Sequence, residues 1–466
     1  MKVMSLGINY STRKLLFDPL EKDEFAKAVL ASLRKNVDDI RSLTRSTTRG
    51  TTFRGSQELE RKVVDLGDPH SVGWTFLVGD KDPQKDEIVA AMRPLAERRG
   101  MKDPDKPLIL NVTDSDEWLD WLQDNYFSPD VEQQPHYVLI VGDPQQVPFR
   151  FQSILATAAA VGRLDFDSIE DLETYVAKVI RLETAKKPVV KKETIFFATD
   201  GGAQDPTYLS LRFMAEPLAK TLRDQKIKTT TLFGDEATKS RLSEVLSKAN
   251  PALVYTASHG LGAPDEKFEI QKKVNGGICC QETEDDCLFL AEDVPADKPF
   301  LEGSVVFQFA CFGYGTPAES DYAHWLGEDG VNTKRDFVAA LPKRLLAHSR
   351  GPIAYVGHVD TAFLHGFDDP EFPGISDVWN PRIDPFKRAV ESLLGAQPSG
   401  HAMAPMSTRY DLYNAFLTNV YDRIQRGKPL PPNFEEKIVN QFITRSDAQN
   451  YMVLGDPAAH LRIPKK

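Results

Sequence analysis

From residue 73 onward, short apolar runs alternate with stretches in which apolar residues recur every three or four positions. "WTFLVGD" (74–80), "LILNV" (108–112), "HYVLIVGD" (136–143) and "AAAVGRLDF" (158–166) have the length and apolar, β-branched character of buried strands. "DEIVAAMRPLAERR" and "SDEWLDWLQDNY" carry helical spacing between them. "SIEDLETYVAKVIRLETAKK" opens on a serine cap and an acidic first turn and ends in lysines, as the helix dipole favours. A lysine-rich segment, "AKKPVVKKE" (185–193), interrupts the pattern. Beyond it "TIFFATD", "KTTTLF", "ALVYTASHG", "SVVFQFACFG" and "GPIAYVGHV" are predicted strands. "TYLSLRFMAEPLAKTLRDQ", "ATKSRLSEVLSKA" and "RDFVAALPKRLLAHS" are predicted helices, and "PFKRAVESLLG", "TRYDLYNAFLTNVYDRIQRG" and "NFEEKIVNQFITRS" close the chain as three more. Strands alternating with helices predict a mainly parallel sheet covered on both faces. No internal repeat of solenoid period is present.

The first seventy residues lack this alternation. "DDIRSLTRSTTRGTTFRGSQELERK" is rich in Arg, Thr and Ser and poor in large apolar side chains, which reads as a flexible or surface-draped arm. The predicted organisation is therefore an N-terminal arm (1–72), an upstream α/β subdomain (73–190) and a second α/β subdomain (191–466).

Composition narrows the function classes. The 466 residues are 41% hydrophobic, enough for sizeable cores, and carry a formal net charge of −11. Such an acidic chain has no general attraction for nucleic acid or for an anionic membrane. Cysteines occur only at 279, 280, 287 and 311, too few for a disulfide framework at this length. The start, "MKVMSLGINYSTRKLL", lacks the apolar core of a signal peptide, and no stretch approaches the ~20 apolar residues of a membrane span. These features predict a soluble cytoplasmic protein.

Two strands end in chemistry. "LVYTASHG" delivers His259 and Gly260, and "VVFQFAC" delivers Cys311. Parallel α/β sheets gather ligands beyond the carboxyl ends of their strands, and one crossover fits between these two. A thiolate there is a nucleophile. An adjacent imidazole can take the thiol's proton and later protonate a leaving amine. Gly260, without Cβ, lets its N–H approach a substrate carbonyl, and the Cys311 N–H is the natural second donor to an oxyanion. On spacing alone, the competing reading is a small core cysteine at a strand end.

The paired endings resemble the signature of the caspase-like cysteine peptidases of clan CD. In that clan an apolar strand ending His-Gly precedes one ending Ala-Cys. The chain is most similar to the gingipain-type and CHAT-type bacterial members. "YVLIVGDPQQVPF" (137–149) and "AVGRLDFDSIEDLETYVAKVIRLE" (160–183) resemble the upstream gingipain subdomain. "FLAEDV" (289–294), "GPIAYVGHVD" (351–360) and "NYMVLGDPAAHLRIP" (450–464) resemble segments around and after the nucleophile strand. The resemblance implies a caspase-like three-layer sandwich with a mainly parallel sheet, preceded by a second gingipain-like α/β subdomain. It also implies His259 as general acid/base, Cys311 as nucleophile, and Gly260 with Cys311 as oxyanion donors. No cofactor or metal is implied.

In such folds the specificity pocket is lined by the loops after the first catalytic strand and after the strand following the nucleophile. Here these are "DGGAQDP" (200–206) and "HVDTAF" (358–363). Asp200, Asp205 and Asp360 are then candidate pocket carboxylates for a basic side chain, because a buried charge needs a partner. Asp200 is alternatively the group that orients His259, and each aspartate is alternatively an ordinary loop residue. Glu319 and Asp321 are weaker candidates. Residues 262–287 read as an activation loop or as a plain long loop. Cys279, Cys280 and Cys287 lack the CxxC pairing of a zinc site.

The expectation is thus an intracellular cysteine endopeptidase, latent until activated, cutting protein substrates with a lean toward Arg or Lys before the bond. Its partners would be those substrates and an activating protease or regulatory protein, within a bacterial antiviral defence cascade of the kind relatives serve. The alternatives are a non-catalytic scaffold on the same fold and another cysteine amidase.

Overall fold

The computed structural model describes residues 2–24, 26, 27, 30, 65–127, 134–282, 287–323, 332–363, 382–430 and 434–464. Among the described residues ten strands form one sheet. In chain order they are β1 (Trp74–Gly79), β2 (Leu108–Leu110), β3 (Tyr137–Val141), β4 (Ala160–Leu164), β5 (Lys191–Ala198), β6 (Lys228–Phe233), β7 (Pro251–Ala257), β8 (Val305–Phe309), β9 (Ala354–His358) and β10 (Tyr451–Gly455). Across the sheet the order is β2-β1-β3-β4-β10-β9-β8-β7-β5-β6. Every neighbouring pair is parallel except β9 and β10.

That single antiparallel pairing sets the layout. Strands β1–β4 and β10 run one way, and β5–β9 run the other. The carboxyl tips of the upstream half therefore face one edge of the sheet, and those of the downstream half face the opposite edge. The mixed α/β architecture with a large, mainly parallel sheet agrees with the fold predicted from the alternation of strands and helices. The lysine-rich boundary falls between helix Ile169–Thr184 and β5, and the sheet is continuous across it.

The upstream strands show why both faces are covered. In β3, Tyr137, Leu139 and Val141 join the main apolar cluster, while Val138 and Ile140 join a second one with Trp118 and Trp121. Successive side chains of a strand point to opposite faces, so an uninterrupted apolar run is what a doubly covered strand requires. Strands β7 and β8 are buried at every position.

Strand β10 is absent from the elements that the sequence pattern predicts. Its five residues follow directly on helix Phe434–Asn450, and a short apolar run at a helix end has no period of its own. It occupies the middle of the sheet, bonded to β9 along its length and meeting β4 at Leu454 and Arg163. Asp456, just past it, accepts hydrogen bonds from Trp74 Nε1 (3.0 Å) and from Arg99 Nε (2.8 Å) and Nη2 (2.6 Å). Arg99 also pairs with Glu183 at 2.5 Å. The two carboxylates keep the buried guanidinium charged against its desolvation.

The N-terminal residues differ from a surface-draped arm. The short strand Gly7–Asn9 pairs in parallel with Gly260–Gly262. Leu6 is completely buried and belongs to the main apolar cluster, which also holds Cys311, Phe312 and Ala362. Burial of a leucine side chain is worth about 1.5–3 kcal/mol, so this segment is anchored. Residues 31–64, the Arg- and Thr-rich part, lie outside the described residues. Among the described residues no helix is long and apolar enough to cross a membrane.

Candidate active site

Register brings the two predicted residues together. Ala257 of β7 pairs with Phe309 of β8, and His259 and Cys311 each lie two residues beyond that pair. They therefore leave the same sheet edge at the same height. Gly260 packs on the nucleophile's own backbone. A Cβ there would sit 1.9 Å from the Cys311 carbonyl oxygen and 2.4 Å from its nitrogen. Only glycine permits this approach.

Backbone strain marks the same place. Phe312 and Asp360 both adopt left-handed conformations, with φ of 57° and 69°. The Phe312 N–H donates to the Asp360 carbonyl at 2.8 Å, so the two unusual residues brace each other. Non-glycine residues hold such angles only where their surroundings enforce them.

The imidazole is oriented by Asp205. Its Nε2 lies 3.0 Å from Asp205 Oδ2. Asp205 is itself fixed as the cap of helix Pro206–Ser210, with Oδ1 accepting from the Thr207 N–H (2.8 Å) and hydroxyl (2.5 Å). Burial opposes ionisation of Asp205, but the bonds and charge from His259 and the Thr207 donors outweigh it and hold the carboxyl below its usual range.

This corrects part of the sequence reading. Asp205, placed in the pocket by its loop, instead faces the imidazole, the role considered for Asp200. Asp200 turns its carboxylate to the Gly202 N–H (2.9 Å), and its backbone is clamped by Gln281. Asp360 is buried and spent within its own loop contacts. Its Oδ2 accepts from the Ser320 hydroxyl and the Asp321 N–H, both at 2.8 Å, and its Oδ1 from Asn332 at 3.2 Å. Burial, reinforced by the Asp321 charge, pushes its carboxyl up to about 6. Asp321 pairs with Arg150 at 2.9 Å. Asp205 and Asp360 are thus not left as an open pocket floor. Of the proposed activation loop, 262–287, residues 283–286 lie outside the described residues, and Cys279 and Cys287 pack in an apolar cluster.

The thiol is covered by residues that sequence reasoning missed. Cys311 is fully buried, and Sγ accepts the Ala362 N–H at 3.1 Å. The Ser5 hydroxyl lies 4.0 Å from Sγ. Desolvation pushes the thiol up to about 12. Leu6 bridges the two reactive groups through its backbone. Its N–H donates to the Ala362 carbonyl at 3.0 Å. Its carbonyl accepts from His259 Nδ1 at 2.8 Å and from the Gly260 N–H at 3.3 Å. The Cys311 N–H is not among the donors to that oxygen. The only hint in sequence was an isolated "MSLGIN", whose alternation is too short to signal a strand.

Residues 71–281 match the model of peptidase family C25. Over that stretch the chain is similar to this peptidase family. The matched stretch contains His259 and Gly260 and ends before Cys311, which the strand register places beside them. Among solved structures it is similar to the complex of Porphyromonas gingivalis RgpB pro- and mature domains, at 12% identity and a TM-score of 0.45 over 84% of this chain and 80% of that one. It is similar also to the Arg-specific cysteine proteinase gingipain R, at 12% identity and a TM-score of 0.41 over 84% and 78%. The Saccharomyces cerevisiae separase–securin complex aligns at 11% identity and a TM-score of 0.33, over 74% of this chain and 17% of that one. No curated protein matches the chain.

Proposed function

We propose that this cysteine peptidase is an endopeptidase that works through an acyl-enzyme at Cys311, with His259 as general acid/base and Asp205 as the group that positions it. One observation carries the reading: His259 and Cys311 stand at equal height beyond the paired residues Ala257 and Phe309. In the proposed sequence the thiol proton passes to His259 and the thiolate adds to the peptide carbonyl carbon. The carbonyl π electrons move onto oxygen, which the Gly260 N–H stabilises. Collapse expels the amine, which takes its proton from Nδ1. Water then cleaves the thioester and restores the thiol.

The form described here is latent in this proposal, because a buried, protonated thiol is not a nucleophile. A cytoplasmic location, supported by the four free cysteines, and a place in a defence cascade that an upstream signal switches on, supported by the family resemblance alone, are further parts of the proposal. The lean toward Arg or Lys rests on less, since Asp205 and Asp360 already have partners.

A panel of short fluorogenic peptides tests the function, with limited proteolysis to relieve latency. Cleavage that disappears in both Cys311→Ala and His259→Ala supports it. If no peptide is turned over under any condition, the scaffold reading stands instead.

A further inference from the structure

The N-terminal segment sits in the site as a peptide substrate would. Ser5 forms an antiparallel bridge with Phe363, so the chain adds a strand to the loop that follows β9. Substrates commonly bind peptidases by such strand addition, with main-chain bonds giving affinity and side-chain pockets giving selectivity. The Leu6 carbonyl takes the Gly260 N–H bond that a scissile carbonyl would take, and it also occupies His259 Nδ1, the atom that proton transfer needs. A Cβ on Gly7 would lie 3.4 Å from Cys311 Sγ, so the Leu6–Gly7 bond is the one beside the nucleophile. Past it the chain pairs with Gly260–Gly262 and turns back, Asn9 N–H to Lys14 O at 2.8 Å and Leu16 N–H to Gly7 O at 2.9 Å. The Leu16 side chain then closes over Gly7 and Gly262.

Two details explain why this bond is held rather than cut. The Gly7 N–H, which as leaving amine would need the imidazole's proton, donates instead to Ser5 Oγ at 2.9 Å. That hydroxyl also lies 4.0 Å from the thiol.

Resting on the peptidase reading above, we propose that residues 4–9 are a built-in pseudosubstrate that places Leu6 in the position before the cut, so that the enzyme selects a large apolar side chain there and opens when this segment leaves. The chemistry of the surroundings agrees. Leu6 has no solvent exposure. A lysine or arginine enclosed in its place would need a free carboxylate, and Asp205 and Asp360 already have their partners. The substrate class is therefore a protein segment with a leucine-like residue followed by a small one.

Gly7→Val and Leu16→Asp, made in the full chain, unseat the segment while leaving Cys311, His259 and Gly260 themselves unchanged. The valine crowds Leu16 at 2.7 Å and its Cβ also meets Cys311 Sγ, so Leu16→Asp is the variant clear of the thiol. Their fold is checked by circular dichroism. Rates are read on fluorogenic tetrapeptides ending in Leu, Met, Arg, Lys or Asp, and Cys311 is labelled with peptidyl acyloxymethyl ketones. Both variants should cut the Leu peptide at least ~10-fold faster than wild type, and at least ~10-fold faster than the Arg or Lys peptide. In trans, the peptide MSLGIN should inhibit the opened variants competitively, and its Leu→Arg analogue at least ~10-fold less. Opened variants that prefer Arg or Lys, or that gain no activity although Cys311 is labelled, overturn the pseudosubstrate while leaving the peptidase intact. If Cys311 takes no label and nothing is cut, the peptidase reading itself falls.

Discussion

The two halves of the sheet end in opposite ways. At the upstream tips the polar groups satisfy one another. Arg163 of β4 is fully buried and donates to Gln152 Oε1 (2.8 Å), the Gly142 carbonyl (2.9 Å) and the Val147 carbonyl (2.5 Å). Asp165, just beyond, faces Lys343 at 3.6 Å. At the downstream tips the polar groups point at a main chain that is not part of the sheet. His259 and Gly260 both bond to Leu6. Position at a strand tip is therefore not enough to make a site. What distinguishes the reactive tip is that His259 Nδ1 and the Gly260 N–H are completed by a visiting backbone.

This contrast predicts a clean division of phenotypes. The largest effect is expected from Cys311→Ala, with loss of peptide hydrolysis by at least ~10^3-fold in an enzyme already opened by Gly7→Val and little change in thermal unfolding. Residual activity above that level would break the assignment. At the other edge, Arg163→Ala leaves two carbonyls and Gln152 without their buried partner. It should lower stability by about 3–5 kcal/mol in urea titration, while folded molecules keep their turnover. A variant that loses turnover without losing stability would erase the contrast.

Smaller changes sharpen it. Asp205→Asn should lower kcat on the order of 10^2-fold with KM nearly constant, since the imidazole loses its orienting carboxylate. The same carboxyl is held below its ordinary value near 4, so its stabilising contribution is present above about pH 4 and fades as pH falls through its lowered value. Unfolding followed by fluorescence between about pH 5 and pH 3 should be less acid-sensitive in the Asn variant than in the parent. Smallest of all, Ser5→Ala removes a bond within the segment and should raise wild-type background hydrolysis only a few-fold, about 1 kcal/mol. If it instead activates as strongly as Gly7→Val, the latch is the hydroxyl rather than the strand.

Much of this was legible in the chain. Nine of the ten sheet strands are predicted from the sequence, all but the threonine-rich Lys228–Phe233 as apolar runs, and the two reactive residues stand at the ends of such runs, "TASHG" and "QFAC". Three features were hidden. The strand at Tyr451–Gly455 merges into the helix before it, so periodicity gave no boundary. Asp205 and Asp200 share one loop, and only the capped helix at Pro206 decides which faces His259. Leu6 lies far from its partners in sequence, and a three-residue strand whose stability comes wholly from tertiary contact leaves no pattern to read.

The placement of β10 has a consequence for biosynthesis. Of the ten strands it is the last to leave the ribosome, yet it fills the gap between β4 and β9. Until it arrives, the growing polypeptide carries two unpaired edges facing each other, and the reactive half lacks the strand that backs β9. A translation product cut short anywhere upstream of Tyr451 would be left with those edges open, and the finished sheet becomes accessible only once Tyr451–Gly455 has been made.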